Sequence, residues 1–161
     1  MTHVVDVGAH GVRMPLARQR VVEIASTVLR RERIRAAQLS IAFVDNGRIA
    51  SLNRRHLNHR GATDVISFAL SPASARTPLA GDIYIAPEVA RRNARENGIT
   101  VREELTRLVV HGVLHVIGFD HPAGEERRIS PMWKRQEELV RALTRVQAVR
   151  GPSASRGRRT A

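Results

Sequence analysis

The segment 111–121 has the sequence HGVLHVIGFDH and contains three of the seven histidines of the chain. On a helix, His111 and His115 project from one face, at the spacing with which two helical histidines chelate one divalent metal ion. Gly118 can adopt a positive φ, which lets the chain leave the helix and turn back, so that His121 arrives as a third ligand. Three nitrogen ligands leave a tetrahedral Zn²⁺ ion with an open position for water, as in catalytic zinc sites. The sequence therefore predicts a metal site made of these three histidines.

The segments around this block indicate a domain of mixed α and β structure. Thr100 and Glu103 form a capping box, so we expect the histidine helix to begin there, to run to about residue 117 and to stop at Gly118. Periodicity and turn signals predict strands at 3–7, 39–44, 64–68 and 82–85, helices at 15–33, 49–56, 87–97 and 131–149, and an exposed loop at 71–80. We predict one domain over residues 1–150 and a disordered basic tail over residues 151–161.

Composition and charge limit the classes of function. The 161 residues include 42% hydrophobic residues and no cysteine, which suits one compact domain and excludes disulfides, thiolate metal sites and cysteine nucleophiles. The formal net charge of +12 favours a polyanionic partner, either nucleic acid or an anionic membrane surface. Because no segment has the roughly 18 apolar residues of a membrane span and the amino terminus does not resemble a signal peptide, we expect a cytoplasmic protein.

The histidine spacing is shared with the metzincin signature H-E-x-x-H-x-x-G-x-x-H, in which the glutamate is the general base. Gly112 occupies the glutamate position here, so a metallopeptidase would lack its base. Hydrolysis would then depend on a metal that acidifies its own water, or on a base from elsewhere. Asp120 is a candidate catalytic residue, although its place beside His121 fits better a carboxylate that orients a ligand imidazole.

The segment 111–121 resembles the H-G-x-L-H-x-x-G-[YF]-D-H signature of the YbeY family of bacterial endoribonucleases. Weaker similarities to the family lie in residues 52–53 and 63–68 (its L-N and T-D-V-L-S-F block), 81–83 (its G-D-I strand), and Met132 with 136–138 (its terminal helix). The resemblance spans roughly residues 4–143. It implies an α+β, zincin-like fold with a small, mostly parallel four-stranded sheet packed by helices.

The same resemblance implies a function and partners. The family cleaves single-stranded RNA as a zinc-dependent endoribonuclease, in 3′-end maturation of small-subunit (16S) rRNA and in ribosome quality control. His111, His115 and His121 would be the ligands of one Zn²⁺ ion. The implied partners are rRNA in the small ribosomal subunit, a small-subunit ribosomal protein and an Era-type GTPase, with no membrane.

One position departs from the family pattern. The family has an arginine four residues after the asparagine of its L-N pair, used in catalysis or RNA contact, and the matching residue here is Leu57. Arg60 lies close by and is the second candidate catalytic residue beside Asp120. Arg54, Arg55 and Arg60 all precede the predicted strand at 64–68, in a loop that could face the metal. A guanidinium group there could bind phosphate in a bidentate manner.

Other basic and aromatic residues bear on RNA binding. We expect Arg91, Arg92 and Arg95 to form a second basic stripe on their helix. The few aromatic residues are expected to lie mostly in the core, which disfavours a stacking platform for RNA bases. Binding would then be dominated by backbone electrostatics and weaken steeply with salt.

Two other functions stay open at this point. One is a non-catalytic ribosome-assembly factor with a structural metal, favoured by the absence of an obvious base and by Leu57. The other, and the weaker, is a metallopeptidase, which rests on the shared histidine spacing.

Overall fold

The computed structural model describes residues 1–149, so the predicted tail at 151–161 lies outside the described residues. The order of elements is β1 (Thr2–His10), α1 (Arg18–Arg31), β2 (Ala36–Val44), α2 (Asn46–Leu57), β3 (Val65–Ser71), β4 (Leu79–Ile85), α3 (Pro87–Asn97), α4 (Val101–Ile117), a 3₁₀-helix (Gly124–Ile129) and α5 (Pro131–Val149). No helix within this range is long and apolar enough to cross a membrane. That residues 1–150 form one domain stays a prediction.

The four strands form one sheet in the order β1-β2-β4-β3. β1 pairs parallel to β2, and β2 pairs parallel to β4, with Ile41 opposite Val7 and Ile83. β3 is the exception, because it runs antiparallel to β4 at one edge of the sheet. The fold is therefore α+β with a mostly parallel four-stranded sheet, and the predicted fold class is confirmed.

α4 is the central helix of the layer that covers one face of the sheet, and it contacts α1, α3, α5, β3 and β4. Its residues Leu105, Val109 and Val113 are fully buried in the main core. Helix and sheet approach closely at Gly112, where an added Cβ atom would lie 2.7 Å from Cγ2 of Ile83. This contact fixes α4, and with it the histidines, against β4.

The opposite face of the sheet is covered more sparsely. Strand alternation directs Ala42 and Val44 away from the main core, and they join Ile49 of α2 and Ile66 of β3 in a second hydrophobic cluster. α2 packs near β3 on this side. The candidate ligands therefore lie on the more fully covered side, where α4 lies.

The ends of α4 agree with the predicted signals. The Thr100 hydroxyl accepts a hydrogen bond from the backbone N–H of Glu103 at 3.1 Å, which caps the first turn. Gly118 follows the last turn with φ of 123°, a conformation that disfavours other residues. The sequence therefore located both ends of the helix that carries two of the histidines.

Several element predictions were wrong in detail. β2 begins at Ala36 rather than at residue 39, α2 begins at Asn46 rather than at residue 49, and β3 ends at Ser71 rather than at residue 68. β1 is longer than the predicted 3–7, because pairing with β2 extends it to residues that carry no apolar alternation of their own. α1 begins at Arg18, not at Pro15. β4 begins at Leu79, inside the predicted loop 71–80, because Leu79 pairs with Ala37 and is buried. The 3₁₀-helix was not predicted at all.

Candidate metal centre and adjoining cavity

The three predicted ligands come together at the end of α4. His111 and His115 lie on one face of the helix with ring centroids 4.6 Å apart, and the turn at Gly118 returns His121 to within 5.2 Å and 4.9 Å of them. One ligand nitrogen from each ring lies within 4.8 Å of the other two, so the group could hold a metal ion. The structure thus confirms that the three side chains share one site.

Each imidazole is oriented by a hydrogen bond from its Nδ1–H group. His111 donates to Oε1 of Gln136 at 2.7 Å, His115 to the carbonyl oxygen of Phe119 at 3.0 Å, and His121 to that of Pro122 at 3.0 Å. These acceptors fix the tautomer in which Nε2 carries the lone pair, as metal-binding histidines require. All three residues therefore fit a divalent metal through Nε2.

The electrostatic surroundings keep two of the ligands uncharged. Burial lowers the pKa of His111 to about 4, although the hydrogen bond that His111 donates to Gln136 acts in the opposite direction, and the nearby charges of His115, His121 and Arg127 lower it further. Burial, followed by the proximity of His121, also lowers the pKa of His115. Because only neutral imidazole binds a metal, His111 and His115 can bind a metal ion at neutral pH without first losing a proton.

The neighbour of the first ligand cannot be a glutamate in this packing. Gly112 is buried, and an added Cβ atom would lie 2.7 Å from Ile83 and 3.3 Å from the hydroxyl oxygen of Ser67. A larger side chain would force α4 away from β4. The metzincin route to peptide hydrolysis is therefore missing its base for a steric reason as well as by residue type.

A cavity of about 300 Å³ adjoins the histidines, and we call it the α4–α5 cavity. Its first wall comes from the start of β3, α3 and α4, and its second from the 3₁₀-helix and α5. His111 lines it, so it opens onto the metal centre. Its polar lining includes Asp64, Asn93, Glu104, Arg127, Arg128 and Gln136.

An ion-pair cluster joins α4 to α5 along this cavity. Nε of Arg107 donates to both carboxylate oxygens of Glu137 at 3.1 Å, and its charge also faces Glu103 and Glu104. Glu104 is only 6% exposed, and burial raises its pKa despite the opposing Arg107. The cluster fixes the position of α5 and hence of Gln136, which holds His111.

The structure does not bring Arg60 to the histidines. Arg60 is exposed and lines a different cavity together with Arg54, Gly47 and Gly61. Leu57, the position of the family arginine, is the last residue of α2 and is 45% exposed. The expectation that this arginine group faces the metal therefore lacks support, and the catalytic role of Arg60 stays a prediction.

Asp120 lies next to the site but contacts its backbone. Its carboxylate accepts from the backbone N–H of His121 at 2.8 Å, whereas the imidazole N–H groups have other acceptors. The interpretation of Asp120 as the carboxylate that orients an imidazole is therefore wrong, because Asp120 bonds to the backbone of His121 and not to an imidazole ring. A catalytic role for Asp120 stays a prediction.

The residues of the second wall that were missed as site residues include Arg127, Arg128, Trp133 and Gln136. No local pattern marks them, because they reach the site only through the packing of α5 on α4. The prediction that most aromatic residues lie in the core is confirmed, and Trp133 is the exception. Phe43 is buried and three other aromatic rings pack half-buried against the core clusters, but Trp133 lines the α4–α5 cavity.

A helix-and-turn group of three histidines that could hold a metal ion, on a mostly parallel α+β fold, is typical of the class of metal-dependent hydrolases. Comparison with known proteins gives the family. A family model described as Endoribonuclease YbeY matches residues 10–144, and the chain belongs to the YbeY family.

Individual relatives agree with this assignment. The chain is 37% identical over 135 residues to a protein of Acidothermus cellulolyticus named Endoribonuclease YbeY, a match of 76% of this chain and 81% of the relative. It is 34% identical over 135 residues to one of Thermobifida fusca with the same name, covering 79% and 86%. The solution structure of TM1509 from Thermotoga maritima matches 96% of this chain and 100% of that chain at a TM-score of 0.60 and 23% identity, which shows a shared fold.

Proposed function

We propose that this chain is a zinc-dependent endoribonuclease that cleaves single-stranded RNA, in the 3′-end maturation of 16S rRNA and in ribosome quality control. The observation that carries the proposal is the histidine group with all three Nδ1 atoms engaged, which presents three Nε2 atoms to one ion. Three ligands rather than four are typical of a catalytic zinc site, which keeps a position open.

His111, His115 and His121 would hold the Zn²⁺ ion. A bound zinc ion supplies Lewis acidity toward a phosphoryl oxygen and lowers the pKa of a bound water. The remaining requirements fall on the chain itself, which has to bind the RNA backbone and place one phosphodiester at the histidines.

Arg127 is a cation placed for that task. It lines the cavity with His111, and its charge contributes to the lowered pKa of that histidine. A guanidinium group there would bind the non-bridging oxygens of the phosphate that is cut, which become more negative in the transition state. Arg60 and Asp120 stay candidates for catalysis, with Asp120 the closer to the ligands.

The wider context is also proposed. The net charge of +12 supports binding to rRNA through its phosphates, and the exposed Arg91, Arg92 and Arg95 of α3 would add to that surface. A cytoplasmic location, a small-subunit ribosomal protein and an Era-type GTPase as partners, and no membrane association rest on the resemblance to the family.

The test compares the full chain with His115→Ala and with the control His10→Ala, which removes an exposed histidine of β1. Zinc content, circular dichroism and cleavage of single-stranded rRNA are measured for each, with and without chelator. We expect about one zinc ion per chain and chelator-sensitive cleavage in wild type and control, and neither in a folded His115→Ala variant. Zinc without cleavage in any variant would favour the non-catalytic assembly factor. Chelator-sensitive cleavage of a denatured protein would favour the metallopeptidase.

A further inference from the structure

We propose that the α4–α5 cavity binds the one nucleotide of the RNA strand that carries the scissile phosphate, with that phosphate on Arg127 and Arg128 and with preference for a base that carries an exocyclic amino group. The inference rests on the proposed function and specifies how its substrate is read. The cavity has a volume of about 300 Å³, at the lower end of the range for small-molecule sites, which suits a single nucleotide rather than a folded RNA segment.

The second wall combines cations with an aromatic ring. The guanidinium carbons of Arg127 and Arg128 lie 5.6 Å and 6.0 Å from the ring centroid of Trp133. Both arginines are exposed, and neither pairs with an acid within the described residues. Two cations held over an indole are a ready site for a phosphate, and both ring and guanidinium planes stack on bases.

A buried hydroxyl holds this wall in place. Oγ of Ser130 donates to the carbonyl oxygen of Arg127 at 2.6 Å and accepts from the backbone N–H of Trp133 at 3.2 Å. Ser130 is 5% exposed and therefore joins the 3₁₀-helix to the first turn of α5 from inside the protein. The spacing between Arg127 and the indole is thus set before any ligand arrives.

The first wall is acidic, and its carboxylate oxygens can accept more hydrogen bonds than they do. The Asp64 carboxylate accepts hydrogen bonds from Nδ2 of Asn93 at 3.2 Å and from the Thr63 hydroxyl at 3.5 Å, although a carboxylate can accept about four. Glu104 lines the same wall and is buried beside Arg107. An acidic wall attracts N–H donors and repels phosphate. The base would therefore face this wall, and the phosphate would face the two arginines.

A buried amide points to a polar ligand in the cavity. Gln136 is 1% exposed, lines the cavity and uses Oε1 to hold His111. The hydrogen bond that the structure gives to its side chain uses Oε1 and not the amide nitrogen. An N–H₂ group on the wall of a cavity can donate to a ligand or to water, and a base carbonyl oxygen is such an acceptor.

Together these groups select among bases. Cytosine offers an amino donor for the carboxylates and a carbonyl acceptor for Gln136, whereas uracil replaces the amino group with a second acceptor. Uracil would therefore bring a carbonyl oxygen against Asp64 and Glu104. We expect cytosine to bind about tenfold more tightly than uracil, the effect of one hydrogen bond to a charged group.

Trp133 is the single tryptophan of the chain, so its fluorescence reports on this cavity directly. The full-length metal-loaded protein is titrated with hexamers of deoxycytidine and of deoxyuridine, which a ribonuclease does not cut. We expect saturable quenching by both, with the tenfold preference for deoxycytidine. Equal affinities, or binding without a change in Trp133 fluorescence, would overturn the proposal.

Variants assign the effect to its residues. Arg127→Gln with Arg128→Gln should weaken both hexamers by about tenfold or more, since stacked and charged contacts to a nucleotide are lost together. The control Arg13→Gln with Arg18→Gln makes the same change of charge at exposed positions beside β1, at the other edge of the sheet, and should weaken them far less. Asp64→Asn should reduce the preference for deoxycytidine, and an unchanged preference would overturn the assignment of the acidic wall.

A parallel cleavage assay keeps the two proposals separate. Cleavage of RNA without a nucleotide-dependent fluorescence change would overturn this subsite and leave the nuclease intact. Selective quenching without any cleavage would retain the subsite and overturn the nuclease.

Discussion

The metal centre and the second wall of the α4–α5 cavity meet at His111, but they are built in different ways. The ligands come from one short segment, in which a helix, a glycine turn and two carbonyl acceptors supply nearly all of the geometry. The wall is assembled from a 3₁₀-helix and α5, which reach the site by packing on α4. A site of the first kind can be predicted from local spacing, and one of the second kind requires the tertiary fold.

Gln136 is where the two regions depend on each other, and it should show the largest effect. Gln136→Leu removes the acceptor for Nδ1 of His111 while keeping a side chain of similar volume. Mutation of a residue that holds a metal ligand by a hydrogen bond typically weakens metal binding by about 10- to 100-fold. Competition with a chelator of known affinity measures the zinc dissociation constant. Gln136→Glu keeps an acceptor and should retain most of the affinity. If Gln136→Leu binds zinc as tightly as wild type, the metal centre is locally self-sufficient.

Gly112 tests the contact that positions the local segment. Gly112→Ala places a methyl group against the fully buried Ile83, so we expect a loss of about 1–3 kcal/mol in the free energy of unfolding, measured by urea denaturation. Gly47→Ala is the control, because its Cβ would meet only an ordinary contact in α2 and alanine favours a helix by about 1 kcal/mol. Equal stabilities of the two variants would contradict the close approach of α4 to the sheet.

Glu104 should show the smallest effect, and one with an unusual sign. Burial raises its pKa, so the folded state binds its proton more tightly than the unfolded state, and wild type loses stability as the pH rises from the ordinary range of a glutamate through the raised pKa. Glu104→Gln has no such loss. The variant should therefore gain stability relative to wild type across that window, by about 1 kcal/mol or less.

Urea denaturation at several pH values measures this difference. Glu103→Gln is the control, since Glu103 is less buried and lies in the first turn of α4, at the positive end of the helix dipole and beside Arg107. A difference between Glu104→Gln and wild type that shrinks as the pH rises would show that the charged carboxylate is stabilising, and that the acidic wall is better solvated than its burial indicates.

The sequence predicted the parts of the fold that depend on neighbours in the chain. Thr100 and Gly118 marked the ends of α4 because capping and positive φ are local properties. The length of β1 could not be predicted, because its outer residues are strand only through pairing with β2. Leu79 was assigned to a loop for the same reason.

The candidate site divides along the same line. The three histidines were found from their spacing, and the structure brings them together. Arg60 was chosen for closeness in sequence to Leu57, but the end of α2 directs it to another cavity. Arg127 lies in a segment without periodicity, and Trp133 lies in a predicted helix whose packing partner the sequence does not specify. The hydroxyl of Ser130 and the packing of α5 place both residues beside His111.

The acceptors for His115 and His121 are main-chain carbonyl oxygens, at Phe119 and Pro122. A main-chain carbonyl is present whatever amino acid a codon specifies, so missense changes at these two positions leave the acceptor atoms in the polypeptide. The acceptor for His111 is a side-chain amide at Gln136 and depends on one codon. A missense mutation in α5, at Gln136, can therefore remove a hydrogen-bond acceptor of a metal ligand, whereas one at Phe119 or Pro122 cannot.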